Sequence, residues 1–518
     1  MAPKPRKPRR LAPGQIAEEL FCLDPDRDER APQLCAETLL TLVQNSYRAP
    51  ATPRELKSPK RQRFAVRSLA LGENFLGARA EGRAGDDETT PAEYGANLAA
   101  AGQIRGSAHL HLAQLTLQGL VDPDTQRGQR GSWLLRPFHE SLLWYDARKP
   151  SPKSSEYSVR KVYMRGSGIT LARLLADPAD PAAGELGRSA VAAVMEALTA
   201  ASPLADISAG LEAALPAGEP YTKTPPLEPD EQDAWERGAD PRLADLADRL
   251  CRHAEGVMRQ GGASGPARLW QLRTVLALDL AAHVLRTAWQ TTDTPAAERY
   301  LLLSFGGTPR ALDPVRPRSE DSYRRARIRL SEATVRMLAR RMRELDEKHV
   351  VDWASEFESR SRLSDGDDDS VSSQLGALPR PLAAEDYLRL ARASVEGANY
   401  GRAEDGFRVL LESAGVLVGT GSYRYLTATP DLLAALVGAL SARMPMASRD
   451  FFATVREEWG FVINQESAAD TALAAQLDGA GLERNARRAE KLMNDAGLAL
   501  GLSDRTTVVG ERAALSRA

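Results

Sequence analysis

Between Leu269 and Trp289 the chain carries its most apolar run, and that run is patterned. Leu269, Leu272, Leu276, Leu280, Val284 and Trp289 follow a period close to 3.6 residues, while Arg273, Asp279, His283 and Arg286 interrupt it. The period predicts a helix buried along one stripe. The interruptions exclude a membrane anchor, since a spanning helix needs about 20 predominantly apolar residues. A second long helix is expected to follow, with Ser319 as its N-cap and Glu320 and Asp321 in its first turn. Its apolar face would hold Ile328, Val335, Leu338, Met342 and Leu345. The fold class expected is mainly α and multi-domain, with small β-hairpins.

With 518 residues, 43% of them hydrophobic, the chain has enough apolar material for about two to four domains. Two breaks divide it. Over 216–240, Pro220, Pro225, Pro226 and Pro229 mix with Glu219, Glu228, Asp230, Glu231, Asp233 and Glu236, which reads as an extended acidic linker. Over 364–380 the like charges of Asp365, Asp367, Asp368 and Asp369 precede Pro379 and Pro381, a second linker. The layout expected is a flexible basic arm (1–13), an N-terminal block (14–215), a helical middle domain (241–363) and a C-terminal helical domain (381–518).

One local pattern occurs twice, at about 95–137 and 400–440. In the first copy, Arg105 to Gln118 can form a helix that Gly119 ends. Leu120-Val121 then starts a strand, Asp122 to Gly131 make a polar loop, and Trp133 to Arg136 return before Pro137. In the second copy, Ala403, Phe407, Leu410, Leu411 and Ala414 share a helix face and Gly415 closes it. Val416 to Val418 go out, Gly419 to Ser422 turn, and Tyr423 to Leu426 return to a new helix at Thr429-Pro430. The alternation in His109 to Leu117 also fits a strand, which would remove the helix of the first copy.

Both copies resemble the winged-helix family, whose recognition helix is followed by a two-stranded hairpin that touches the nucleic-acid backbone. The resemblance implies a reading role for Ser107, His109, His111 and Gln114, and a wing role for Arg127 and Arg130; Arg408 and Arg424 are the candidates in the second copy. In architecture alone, the layout also loosely resembles large accessory proteins of bacterial anti-phage defence systems, non-enzymatic subunits that bring nucleases, methyltransferases or motor ATPases to DNA.

Charge supports a polyanionic partner in the first block. The formal net charge of −2 excludes a uniformly basic coat, yet Arg54, Lys57, Lys60, Arg61, Arg63 and Arg67 stand against a single acid, Glu55. Arg105 extends the set to the first helix. Tyr47 and Phe64 are candidates to stack on bases. By contrast, Arg324, Arg325, Arg327, Arg329, Arg336, Arg340, Arg341 and Arg343 on the long middle helix have Glu332, Glu344, Asp346 and Glu347 close enough to pair with them. The predominance of arginine over lysine, with abundant alanine, is the composition expected of a GC-rich bacterial genome.

Signs of chemistry are sparse. No glycine pair is followed by the Lys and Ser/Thr of a phosphate loop, and Gly166-Ser-Gly168 lacks a third glycine at Leu171, so it reads as a strand-to-helix turn. His109 and His111 could share a metal only on a strand, because on a helix they diverge by about 200°. Cys22, Cys35 and Cys251 are too scattered for a thiolate site or a disulfide framework, and Met1 to Arg10 lack the apolar core of a secretory signal. The function expected is a non-catalytic, cytoplasmic, DNA-binding accessory subunit that works with other protein subunits, with no catalytic residues, cofactor, metal or membrane partner. A protein-interaction scaffold is the alternative, and an enzyme with a site assembled from distant residues the third reading.

Overall fold

The computed structural model describes residues 13–25, 29–50, 52–57, 61–63, 100, 107–119, 121, 136–140, 143, 145–148, 158–159, 166–201, 205–206, 229–306, 313–344, 377–378, 380–397, 403–441, 444–503, 506–510 and 515. The fold is mainly helical: the described residues contain fifteen α-helices and ten short strands. They gather into two compact units drawn from interleaved segments. One comprises 30–276, 434–445 and 510–518, the other 1–29, 277–433 and 446–509.

In the unit built on 30–276, the helices Ala31–Gln44, Ser167–Ala176, Pro181–Thr199 and Ala244–Met258 pack on one another. Asp180 caps Pro181–Thr199 by accepting from the Ala182 and Ala183 amides, and Pro181 fits the first turn, where no amide is needed. Close packing depends on Gly187: a Cβ there would lie 2.2 Å from the Leu175 carbonyl oxygen and 3.0 Å from Cys251 Sγ. The expected acidic linker is, in its second part, the helix Pro229–Arg237. Trp235 explains the difference. It is buried in a cluster with Leu56, Ile169 and Ala234, so its apolar area outweighs the repulsion of the surrounding carboxylates. A small sheet pairs Arg61–Arg63 in parallel with Tyr145–Arg148, which pairs antiparallel with Ser158–Val159.

In the other unit the helix Val315–Glu344 packs against Ala384–Gly397, Ala403–Ser413 and Pro13–Phe21. It starts four residues before the expected cap. Asp313 Oδ1 accepts from the Val315 amide at 3.0 Å, and Ser319 is fully buried inside the helix. Val335, Leu338 and Met342 face the core as expected, whereas Ile328 is 57% exposed. Leu301–Leu302 pairs in parallel with Phe461–Val462 above a core of Tyr300, Val315, Leu473 and Leu482. Asn485 clasps this pair. Its Nδ2 donates to the Leu303 and Ile463 carbonyls, both at 2.9 Å, and its Oδ1 accepts from the Phe305 amide at 2.8 Å. A second sheet runs in the order Met446–Ala447, Thr506–Val509, Ala499–Ser503.

The apolar stripe Leu269, Leu272, Leu276, Leu280, Val284 and Trp289 lies on the helix Gly265–Thr291, and every member is buried. Its interrupting charges are accommodated locally. Asp279 accepts from Trp459 Nε1 at 2.8 Å, and His283 Nε2 contacts the Phe21 carbonyl at 2.8 Å. Among the described residues no helix is long and apolar enough to cross a membrane.

Candidate nucleic-acid interface

The period of 107–119 resolves to an α-helix, Ser107–Gly119, so the strand reading falls and with it a shared metal between His109 and His111. His111, Leu112, Leu115 and Thr116 are exposed, Gln114 is half-buried and Leu117 is the buried anchor. Ser107 and His109 lie in the first turn. The helix carries no lysine or arginine, so neutralising charge at a phosphate has to come from elsewhere. Of the hairpin expected after it, Val121 forms an isolated bridge, while Arg105, Arg127 and Arg130 lie outside the described residues.

The basic segment is better placed. Asn45 ends the helix Ala31–Gln44, its Nδ2 donating to the Thr41 carbonyl at 2.8 Å and its Oδ1 accepting from the Lys57 amide at 3.0 Å, which sets the course of 52–57. Arg54 sits in the 3-10 turn Pro53–Glu55, and both Arg54 and Lys57 are exposed. The nearby acid, Glu55, accepts from Thr52 Oγ1 at 3.2 Å, and no described carboxylate forms an ion pair with Arg54 or Lys57. Arg61 and Arg63 follow on a strand, in register with Tyr145 and Ala147. Lys60, Phe64 and Arg67 lie outside the described residues. Tyr47 is not poised for stacking: its hydroxyl donates to Glu140 Oε2 at 2.9 Å, and burial together with that carboxylate raises its pKa.

The second copy has the expected order of elements. Ala403–Ser413 ends at Gly415, whose φ of 78° and lack of a Cβ, which would lie 2.7 Å from Thr429 Oγ1, require glycine. Leu417–Val418 and Tyr425–Leu426 pair antiparallel, and Thr429 Oγ1 accepts from the Leu432 amide at the start of Pro430–Ser441. Its cations, however, are paired with carboxylates: Arg408 Nη1 lies 2.9 Å from Glu412 Oε2 and its Nε 3.8 Å from Asp405 Oδ1, and Arg424 Nε lies 3.0 Å from Glu412 Oε1. Several of the long-helix arginines are paired as their spacing predicts. Arg329 and Arg336 share Glu332 at 3.0 and 2.9 Å, and Arg341 meets Glu344 at 2.5 Å and also Glu19.

The turn at Gly166-Ser-Gly168 opens the helix Ser167–Ala176, but the amides that would greet a phosphate are taken. Glu37, itself buried, accepts from Gly166 at 3.1 Å through Oε1 and from Gly168 at 2.7 Å through Oε2. Among the described residues no three His, Cys, Asp or Glu side chains gather as a metal site, and the three cysteines are buried and form no disulfide. Sequence reasoning missed one cluster: Arg286, treated there as an interruption of the stripe, lines a cleft with Arg299 and Arg456. The signal available was an arginine one position off an otherwise apolar face. No protein-family model, curated protein or solved structure matches the chain.

Proposed function

We propose that this chain is a non-catalytic binding subunit that holds nucleic acid through its basic segment at 52–63 and acts beside other proteins that supply chemistry. One contrast carries the reading. Arg54 and Lys57 stand exposed with no described carboxylate on them, whereas Arg408 and Arg424 are held by Glu412. Unpaired cations release condensed counterions when they meet phosphate; a cation already paired gains little. The helix Ser107–Gly119 contributes polar tips at His111, Gln114 and Thr116 in the same unit. A gel shift of the full chain on duplex and single-stranded DNA at two ionic strengths tests this. Affinity that falls steeply with salt supports the proposal, and no binding to either form at low salt overturns it.

A protein-interaction scaffold is the second reading, favoured by Leu112 at 65% and Leu115 at 48% exposure on a helix without cations. If DNA is bound and Gln114→Ala changes base preference, the helix reads bases. If DNA binding is absent, this face becomes the primary contact.

A further inference from the structure

The unit that contains 277–433 and 446–509 holds a cleft of about 520 Å³ that has no part in the nucleic-acid reading. Three arginines reach it from separate places. Arg286 comes from the helix Gly265–Thr291, Arg299 from the residue after the turn Ala296–Glu298, and Arg456 from the last turn of Ser448–Trp459. Arg286 Nη2 donates to the Glu457 carbonyl, and to that of Glu458 at 3.0 Å, and so compensates the negative end of that helix. Arg299 Nε donates to the Thr294 carbonyl at 2.7 Å, which orients the guanidinium, and no described carboxylate pairs with its other nitrogens. Arg456 Nη1 lies 2.5 Å from Asp470 Oδ1.

Of the three acids that line the cleft, two lie near arginines. Glu466 lies toward Arg449 at 3.8 Å and Asp470 is the partner of Arg456, while Glu457 also lines the cleft. Asp470 is also the most easily moved partner: its side chain is 73% exposed, and exposed ion pairs contribute little. The volume falls within the roughly 300–1,000 Å³ of small-molecule sites. A monocarboxylate entering here would merely replace Asp470. A phosphate ester brings more charge and more acceptor oxygens than the group it displaces, and guanidinium forks match its geometry.

We propose that this cleft binds a phosphate-bearing small molecule, gripped by Arg299 and Arg456, with Asp470 as the internal carboxylate that the ligand displaces. The inference is independent of the DNA reading, because it rests on other residues. Titration calorimetry of the full chain with inorganic pyrophosphate at low ionic strength tests it. One site is expected, weakened about tenfold or more in Arg299→Gln and in Arg456→Gln, and tightened in Asp470→Asn. Arg299 is exposed, so Arg299→Gln is expected to keep the wild-type unfolding midpoint. Three results would overturn the proposal: no saturable binding, equal affinity in wild type and Asp470→Asn, or binding lost in Arg54→Glu/Lys57→Glu and retained in Arg299→Gln.

Discussion

Ser319 and Leu426 exchange two hydrogen bonds: the Leu426 amide donates to Ser319 Oγ at 2.8 Å, and that hydroxyl donates to the Leu426 carbonyl at 3.1 Å. A side chain inside the long helix thus completes the edge of the Leu417–Leu426 hairpin. The Leu426 carbonyl keeps a second donor, the Ser304 amide, so Ser319→Ala strands only the Leu426 amide. The loss expected is about 1–3 kcal/mol of unfolding free energy, measured by urea titration. An unchanged midpoint would show that the hairpin does not depend on this contact.

Glu37 is the other buried group whose removal should be costly. Glu37→Ala leaves the Gly166 and Gly168 amides without their acceptor at the start of Ser167–Ala176, for a cost of about 2–5 kcal/mol. Glu37→Gln keeps one carbonyl acceptor but turns an amide donor toward the other N–H, so its midpoint is expected between those of wild type and Glu37→Ala.

Charge reversal separates the two sets of cations. For duplex DNA, Arg54→Glu/Lys57→Glu is expected to lower the slope of log affinity against log salt by about 2, one phosphate contact per residue. Arg424→Gln should leave both slope and affinity unchanged, because Glu412 already holds that guanidinium. A larger effect from Arg424→Gln than from the N-terminal pair would relocate the interface to the second hairpin.

Tyr323 links alkaline stability to burial. Its hydroxyl is buried and has no hydrogen-bond partner among the described residues, and desolvation pushes its pKa up from 10.0 to about 12, against the opposing pull of Arg327, Arg424 and Arg408. Below pH 10 both folded and unfolded chains keep the proton, so its contribution is complete. As pH rises from there toward 12, the unfolded chain releases the proton first, and stability falls. Tyr323→Phe is expected to match or slightly exceed wild type near neutral pH and to lose less stability between about pH 9 and about pH 11, as read from urea midpoints.

What the sequence makes legible is local. The stripe from Leu269 to Trp289, the Gly415 stop, the Thr429 cap and the pairing of Glu332 with flanking arginines all follow from spacing within a turn or two. What it hides depends on distant partners. Pro229–Arg237 is acidic enough to read as linker until Trp235 is seen against Leu56 and Ile169. Ser319 has the chemistry of a cap, but Asp313 takes that role and Leu426 takes the hydroxyl. The same limit applies to the candidate site. The spacing of Arg408 and Glu412 signals their ion pair, whereas Arg424 joining the same carboxylate, or Arg299 and Arg456 meeting in one cleft, is set by tertiary packing.

The parallel pairing of Leu301 with Phe461 has a consequence during biosynthesis. A ribosome must add about 160 further residues after Leu301 before the partner strand emerges, and until then Leu301 to Leu303 form a naked apolar edge of the kind that invites aggregation or chaperone capture. A fragment cut at the proline-rich borders, such as 241–363, would lack Phe461 and Asn485 altogether and would carry that edge permanently.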